Sequence, residues 1–475
     1  MSRSTDLLLI ELPSGWRKGA HSASEAVQSD PLRIFKGIPY AAAPEGELRW
    51  LPPQPVAPWT GVRACDKFGA IAVQASQPGI TGHAGDHDCL SLNIWSPTGT
   101  GPWPVIVWIP GGGFMRGGTS DALYDGSAMA SAEVVFVSIN YRIGVDGFMH
   151  FDDAAPNRGL QDQMAALRWT QQNIALFGGD PSRVTVAGVS AGAGAITHLM
   201  GLPECDALFQ RIILQSPSLQ SHSLDDAQRI RIALAGELGV APTQNALAAV
   251  PLEPLTRTLA SFFGNESLKK RWGLRPKNYF PVRPVIDGVM LKREPLLAIE
   301  HHLQSGGPKR DVLLGFNKEE MHFYLVPNGE IDRIDSDRVQ SFVEDVGWSI
   351  AALKDYQLQS QSKGIGDVMS RIQTDYYYRK PTLALEQLLH DAGCSTYPYE
   401  FGWLSPLHNG RMGAAHAMEI PFVLGNTGSS RAREFIGATG PQSLAQEMHS
   451  QWVRFVKGEP MADWANADGR FRIFR

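Results

Sequence analysis

The chain predicts an α/β fold: one large, mostly parallel sheet with helices on both faces. Near-continuous apolar runs recur at Trp103–Ile109, Val134–Asn140, Arg183–Ala187 and Arg211–Ser216. Strands buried on both faces need such runs. Helical patterns separate several of them, which is the alternation that builds parallel sheets. Residues 188–192, G-V-S-A-G, join one apolar run to a small-residue stretch that opens a helix. That is a strand, sharp turn, helix unit with Ser190 at its tip.

The elements follow in order. Leu7–Ile10 is a short apolar run bounded by Asp6 and Glu11, too short for a signal-peptide core, and reads as a first strand. Arg33–Pro39 holds a strand edge, Ala43–Trp59 is irregular and proline-rich, and Leu90–Trp95 alternates with period two. Trp103–Ile109 ends at Pro110-Gly111-Gly112-Gly113, and Val134–Asn140 is the next strand. Gln161–Phe177 carries apolar Met164, Leu167, Trp169, Ile174 and Phe177 at helical spacing and stops at Gly178-Gly179-Asp180-Pro181. The strand at 183–187 leads to Ser190 and a helix ending near Met200, followed by strand Arg211–Ser216. Asp311–Phe316 and Thr396–Phe401 are late strands, and Gln442–Val456 is the last helix. Two mostly helical blocks, 222–305 and 335–393, read as insertions capping one end of the sheet within a single domain, 1–475.

Composition excludes several function classes. With 43 basic and 48 acidic residues the net charge is −5, which gives no support to nucleic-acid binding. No stretch of 18 apolar residues exists, so no membrane span is expected. Cys65, Cys89, Cys205 and Cys394 lack metal-ligand spacing, and their sparseness suits a reducing, cytoplasmic setting; a removed leader would leave the same sequence. Asn265-Glu266-Ser267 reads as a chance match to a glycosylation acceptor. The expected partner is a small molecule, and the chain is expected to be a monomer or weak homo-oligomer.

The residue chemistry points to acyl transfer. A serine hydroxyl becomes a useful nucleophile only beside a base that an acid orients. Of thirteen histidines, His416 stands out, between small residues and an apolar proline turn in G-A-A-H-A-M-E-I-P-F-V. A core histidine bonded to backbone would fit that setting too. His301 and His302 read as surface residues at a polar helix end. Glu319 and Glu320 follow a strand end, where they could equally form a solvated turn; taking Glu320 gives the order serine, acid, histidine of the α/β-hydrolase layout. Gly111–Gly113 is either a tight turn or a loop presenting backbone N–H groups to a developing oxyanion.

Taken together the motifs resemble the type-B carboxylesterases, α/β-hydrolases that include bacterial para-nitrobenzyl esterases, animal carboxylesterases and cholinesterases. The likeness runs from Phe35-Lys36-Gly37-Ile38-Pro39-Tyr40 to Trp452 and Phe455. Its densest block is N-R-G-L-Q-D-Q at 157–163, A-L-R-W at 166–169, F-G-G-D-P at 177–181 and G-V-S-A-G-A at 188–193. The resemblance implies Ser190 as nucleophile, Glu320 as triad acid and His416 as base. It implies Gly112, Gly113 and Ala191 as oxyanion donors, with structural roles for Asp162 and Asp180. Phe114, Met115, Val189, Phe323 and Tyr324 are the expected pocket residues. The implied reaction is hydrolysis of a small-molecule ester, with apolar or aryl esters favoured, through an acyl-enzyme that needs no metal or cofactor. A specialised hydrolase of a xenobiotic or natural-product ester, lactone or amide is the alternative. A non-enzymatic adhesion or scaffold role is more remote, because relatives of that kind lose catalytic residues.

The departures matter. Val189 stands where cholinesterases carry glutamate, which argues against choline esters. Pro110 precedes the glycines, where the family often has an aromatic or histidine. Met321 replaces a glycine after the acid, so the turn there is expected to differ. Ala72 replaces a cysteine that the family pairs with the one at Cys89, and Cys65 is a poor substitute. His87 replaces a glutamate that pairs with an arginine such as Arg49, a role that Asp86 is expected to take.

Overall fold

The computed structural model describes residues 8–12, 15–22, 32–75, 85–349, 353–356, 364–438, 440–464 and 471–475. Leu7 of the expected first strand, and 350–352 and 357–363 of the second helical block, lie outside them. The described strands are β1 (Leu8–Leu12), β2 (Gly15–Ser22), β3 (Leu32–Pro39), β4 (Val62–Ala64), β5 (Ser91–Ser96), β6 (Trp103–Ile109), β7 (Val135–Ile139), β8 (Gly179–Val189), β9 (Arg211–Gln215), β10 (Asp311–Asn317), β11 (Thr396–Phe401) and β12 (Arg472–Phe474). Their spatial order is β1-β2-β3-β5-β7-β6-β8-β9-β10-β11-β12, with β4 beside β2. Every pairing from β7 through β12 is parallel. The path from β1 to β7 is antiparallel.

Strand β6 explains why its sequence is apolar throughout. Successive side chains leave a strand on opposite faces. Val105, Val107 and Ile109 enter one core with Leu160, Met164 and Leu167 of helix Arg158–Asn173. Ile106 and Trp108 enter the other, with Met448 and Trp452 of the last helix, Gln442–Lys457. Both faces are covered, which favours apolar side chains along the strand.

Strands β2, β4 and β12 were not expected. G-W-R-K-G-A-H-S and V-R-A carry no two-residue alternation, and R-I-F is three residues long. Pairing partners hold them in place, a non-local influence.

The carboxyl ends of the parallel strands meet at one edge, where open α/β sheets place their ligands. The glycine loop follows β6, Ser190 follows β8, and Glu320 lies three residues past β10. The exit of β7 is braced by a buried ion pair. Asp162 accepts from the Arg142 backbone N–H (3.0 Å), Nε (2.8 Å) and Nη2 (2.7 Å).

Two side-chain expectations are corrected here. Arg49 pairs with Asp146 (3.0 Å), not Asp86, and Trp50 Nε1 donates to the same carboxylate at 2.7 Å. Asp86 is exposed and caps the Asp88 N–H. His302 is buried against Asp206 at 2.9 Å, because it faces the body of the fold while His301 faces out. All four cysteines are buried thiols, none of them in a disulfide. Asn265 caps helix Glu266–Arg271 through the Leu268 N–H. No described helix is long and apolar enough to cross a membrane.

Candidate active site

Ser190 sits at φ 57°, ψ −122°, between β8 and helix Ala191–Met200. A non-glycine residue in such a region costs about 1–3 kcal/mol and persists only when its surroundings enforce it. Here they do. The Ser190 N–H donates to the Gln215 carbonyl at 2.8 Å. Gly192 packs so closely on Ile109 that a Cβ would overlap the Ile109 carbonyl oxygen. The helix therefore begins hard against β6, and the turn has one shape.

The glycine loop presses on the same turn. A Cβ at Gly111 would lie 2.7 Å from the Val189 carbonyl oxygen and 3.0 Å from Ser190 Cβ. Gly112 and Gly113 take φ 124° and 62°. The Gly112 carbonyl accepts the N–H groups of Met115 and Arg116, each at 3.1 Å, which closes the loop. Ala191 is the first residue of its helix, so its N–H has no acceptor within the helix. The positive end of that helix dipole points at the same place.

His416 Nδ1 lies 2.5 Å from Glu320 Oε2. The Asn317 N–H donates to Glu320 Oε1 at 2.7 Å. Glu320 is fully buried and His416 nearly so. A carboxylate at Nδ1 holds the proton on that nitrogen and leaves Nε2 as the acceptor. Nε2 has no hydrogen-bond partner among the described residues. Backbone bonds stitch the two loops together: Glu319 N–H to the Ala414 carbonyl (3.0 Å) and His416 N–H to the Glu320 carbonyl (3.3 Å). The adjacent carboxylates part company. Glu319 accepts the Ala414 N–H at 2.9 Å and lines an outer groove with Lys318 and Arg411. Met321, at φ −75°, opens the short helix His322–Leu325, so the turn after the acid has no need of glycine.

Behind the pair lies a second buried carboxylate, Glu419, from the segment H-A-M-E-I-P-F. Glu419 accepts from Gln215 Nε2 (2.8 Å) and Asn317 Nδ2 (2.7 Å). Burial, then the charge of Glu320, pushes its carboxyl above the usual range. Asn317 also donates to the Ala415 carbonyl at 2.7 Å, so Glu419 and Asn317 fix the histidine loop from beneath. The signal was a glutamate three residues after His416 in an otherwise apolar segment.

Ser190 and His416 open onto one cleft of about 470 Å³, whose walls include Gly112, Gly113, Val189, Phe280, Phe323 and Tyr324. That lies in the range of small-molecule sites. Phe280 comes from the first helical block. Tyr378, from the second, packs its ring against His416, tilted by 38° with centroids 4.6 Å apart. Two expected pocket residues are elsewhere. Phe114, at φ 60°, turns its ring into the core against Phe148, 4.6 Å between centroids. Met115 lines a neighbouring apolar cavity of about 290 Å³ that shares Gly112, Arg116 and Phe280 with the cleft. Among the described residues no group of three or more His, Cys, Asp or Glu side chains is arranged to hold a metal ion.

Comparison with known proteins agrees with this architecture. The model of the carboxylesterase family matches residues 8–468. A phenmedipham hydrolase of Pseudarthrobacter oxydans is 33% identical over 459 residues, 91% of this chain and 88% of that protein. A para-nitrobenzyl esterase of Bacillus subtilis is 32% identical over 451 residues, covering 91% and 88%. Among solved structures, a carboxylesterase of Geobacillus stearothermophilus superposes with a TM-score of 0.81 at 31% identity, covering 98% of this chain and 96% of that one. The chain thus belongs to the carboxylesterase family, has the α/β-hydrolase fold, and is a carboxylic ester hydrolase.

Proposed function

We propose that the chain hydrolyses apolar or aryl carboxylic esters in two steps, with Ser190 as nucleophile, His416 as general base and acid, and Glu320 as orienting acid. The observation that carries this is the buried Glu320–His416 pair, whose free Nε2 shares one cleft with Ser190. Ser190 attacks the ester carbonyl as His416 takes its proton, and Glu320 stabilises the imidazolium. The N–H groups of Gly112, Gly113 and Ala191 receive the oxyanion; loss of one such donor costs roughly 3 kcal/mol of transition-state stabilisation. His416 protonates the departing alcohol, and water then cleaves the acyl-enzyme.

The preference for apolar or aryl groups rests on Val189, Phe280, Phe323 and Tyr324 in the cleft wall. A relative named for para-nitrobenzyl esters carries an aromatic group in its substrate, as this wall favours. The test is a series of p-nitrophenyl esters from acetate to palmitate, with aryl amides alongside. Ser190→Ala is expected to lower kcat by about a millionfold, the scale of losing a serine nucleophile. Retained turnover in that variant would overturn the mechanism. Each methylene gaining or losing burial is worth about 1–3 kcal/mol of discrimination. A flat acyl-length profile would therefore refute the apolar wall as a selector.

A further inference from the structure

The cleft has a charged neighbour that the two-step reaction does not use. The side cavity of about 290 Å³ is walled by Val73, Met115, Leu259, Ala260, Phe263 and Phe280, and among the described residues Arg116 is the one charged side chain in that wall. Arg116 is half-buried and lines the cleft as well, together with Ser190 and His416. Its guanidinium carbon lies 5.5 Å from the centroid of the Phe263 ring, and that ring meets Phe280 at 5.3 Å and Tyr324 at 6.0 Å. Phe280 walls both spaces and packs on the glycine loop: a Cβ at Gly113 would lie 2.6 Å from its Cδ1. A cation–π contact thus holds the charge on the wall that the two spaces share. The other polar side chains of the cavity are committed to the protein. Gln74 donates to the carbonyls of Ala72 (3.0 Å) and Gly117 (2.9 Å) and accepts the Gly117 N–H (2.9 Å), and Thr256 donates to the Leu252 carbonyl (2.9 Å). In the cleft wall Arg431 pairs with Asp121 at 3.0 Å, and Glu434 is exposed to solvent, which screens it.

We propose that Arg116 is a specificity-determining residue: the preferred esters carry a carboxylate at the end of one apolar arm, and that carboxylate binds the guanidinium at the side cavity. This rests on the reading of Ser190 as nucleophile and of Gly112 and Gly113 as oxyanion donors. The position follows from the loop. The Arg116 N–H closes on the Gly112 carbonyl at 3.1 Å, so the arginine is fixed to the same turn that receives the oxyanion. An ester carbonyl held by that loop lies against Phe280, and an arm leaving it passes the ring into the cavity that Arg116 lines. The apolar walls bind the chain of that arm by burial. They also exclude water, and opposite charges attract more strongly there than in bulk water. Arginine suits the acid end because its planar fork offers a carboxylate two parallel N–H donors. A carboxamide of the same shape brings its own N–H groups to the guanidinium and forgoes the charge attraction.

The test uses two pairs of esters, each an acid against its isosteric carboxamide. The p-nitrophenyl monoester of adipic acid and the p-nitrophenyl ester of adipamic acid place the group on the acyl arm. The acetates of para-hydroxymethylbenzoic acid and of its amide place it on the alcohol arm. In the wild type kcat/KM is expected to favour the acid about tenfold in at least one pair, the rate worth of one charge-assisted hydrogen bond. Arg116→Gln should bring that ratio to about one, chiefly by raising KM for the acid, as loss of binding remote from the reacting atoms does. Arg116→Lys should keep part of the preference, since it retains the charge without the fork, and it carries the test if Arg116→Gln fails to fold. A wild-type ratio at or below one in both pairs, or a ratio that survives Arg116→Gln, would overturn the role of Arg116. Turnover of these esters by Ser190→Ala would instead overturn the reading on which it rests.

Discussion

At Ser190 the backbone is strained, and the strain is held by contacts that have nothing to do with substrate: the Gln215 carbonyl, the Ile109 carbonyl beneath Gly192, and Gly111 against Val189. His416 depends in the same way on Glu320, and Glu320 on the Asn317 N–H. Glu320→Gln keeps the shape of the acid but can donate to Nδ1, which favours the wrong tautomer. A fall in kcat of about ten thousandfold is expected, with the fold intact. Ester kinetics and circular dichroism on the same sample check this, and an unchanged kcat would refute the orienting role. The serine and its turn were legible because close approach admits only small residues at fixed spacing. Tyr378 was not, because nothing in D-Y-Y-Y-R says which tyrosine meets His416.

Among elements, the strands buried on both faces were the most legible. Strand β6 spans the residues its apolar run marks, and β11 does likewise. The helix at Arg158–Asn173 begins three residues before its apolar pattern, because Arg158 is buried by bonds to the carbonyls of Asp146, Val145 and Met149. Its Asp162 anchors the exit of β7 through Arg142. Arg142→Met would leave Asp162 charged and unpaired in the core, at a cost of about 3–5 kcal/mol. Arg142→Met with Asp162→Leu should recover much of that loss, since apolar pairs of similar volume replace buried ion pairs at little cost. Urea unfolding of both variants would decide; a single variant as stable as wild type would refute the pair's bracing role.

Across the whole molecule, covalent cross-links contribute nothing among the described residues: Cys65, Cys89, Cys205 and Cys394 are buried thiols outside any disulfide. Burial pushes the Cys89 thiol well up and the Cys205 thiol up to about 12, so both stay protonated and unreactive in the native state. Thiol titration is expected to find almost no reactive groups in the folded protein and four after denaturation. A count of two after denaturation would reveal a disulfide and refute this. Stability comes instead from two cores on opposite sheet faces, with Trp95, Trp108 and Trp452 in one and Trp50 in the other.

The sequence by itself determined the fold class, strands β6 to β11 and the elbow at Ser190, and through family resemblance it pointed to Glu320 and His416. These are written locally, in periodicity and in short motifs whose backbone geometry demands particular residues. Tertiary structure alone decided which pocket residues face the cleft. It sent Phe114 into the core, gave Arg49 to Asp146, set Glu419 beneath the histidine loop, and brought Tyr324 and Tyr378 against the His416 ring. Those outcomes depend on packing between segments up to about two hundred residues apart, and no local pattern encodes which of several similar side chains will meet there.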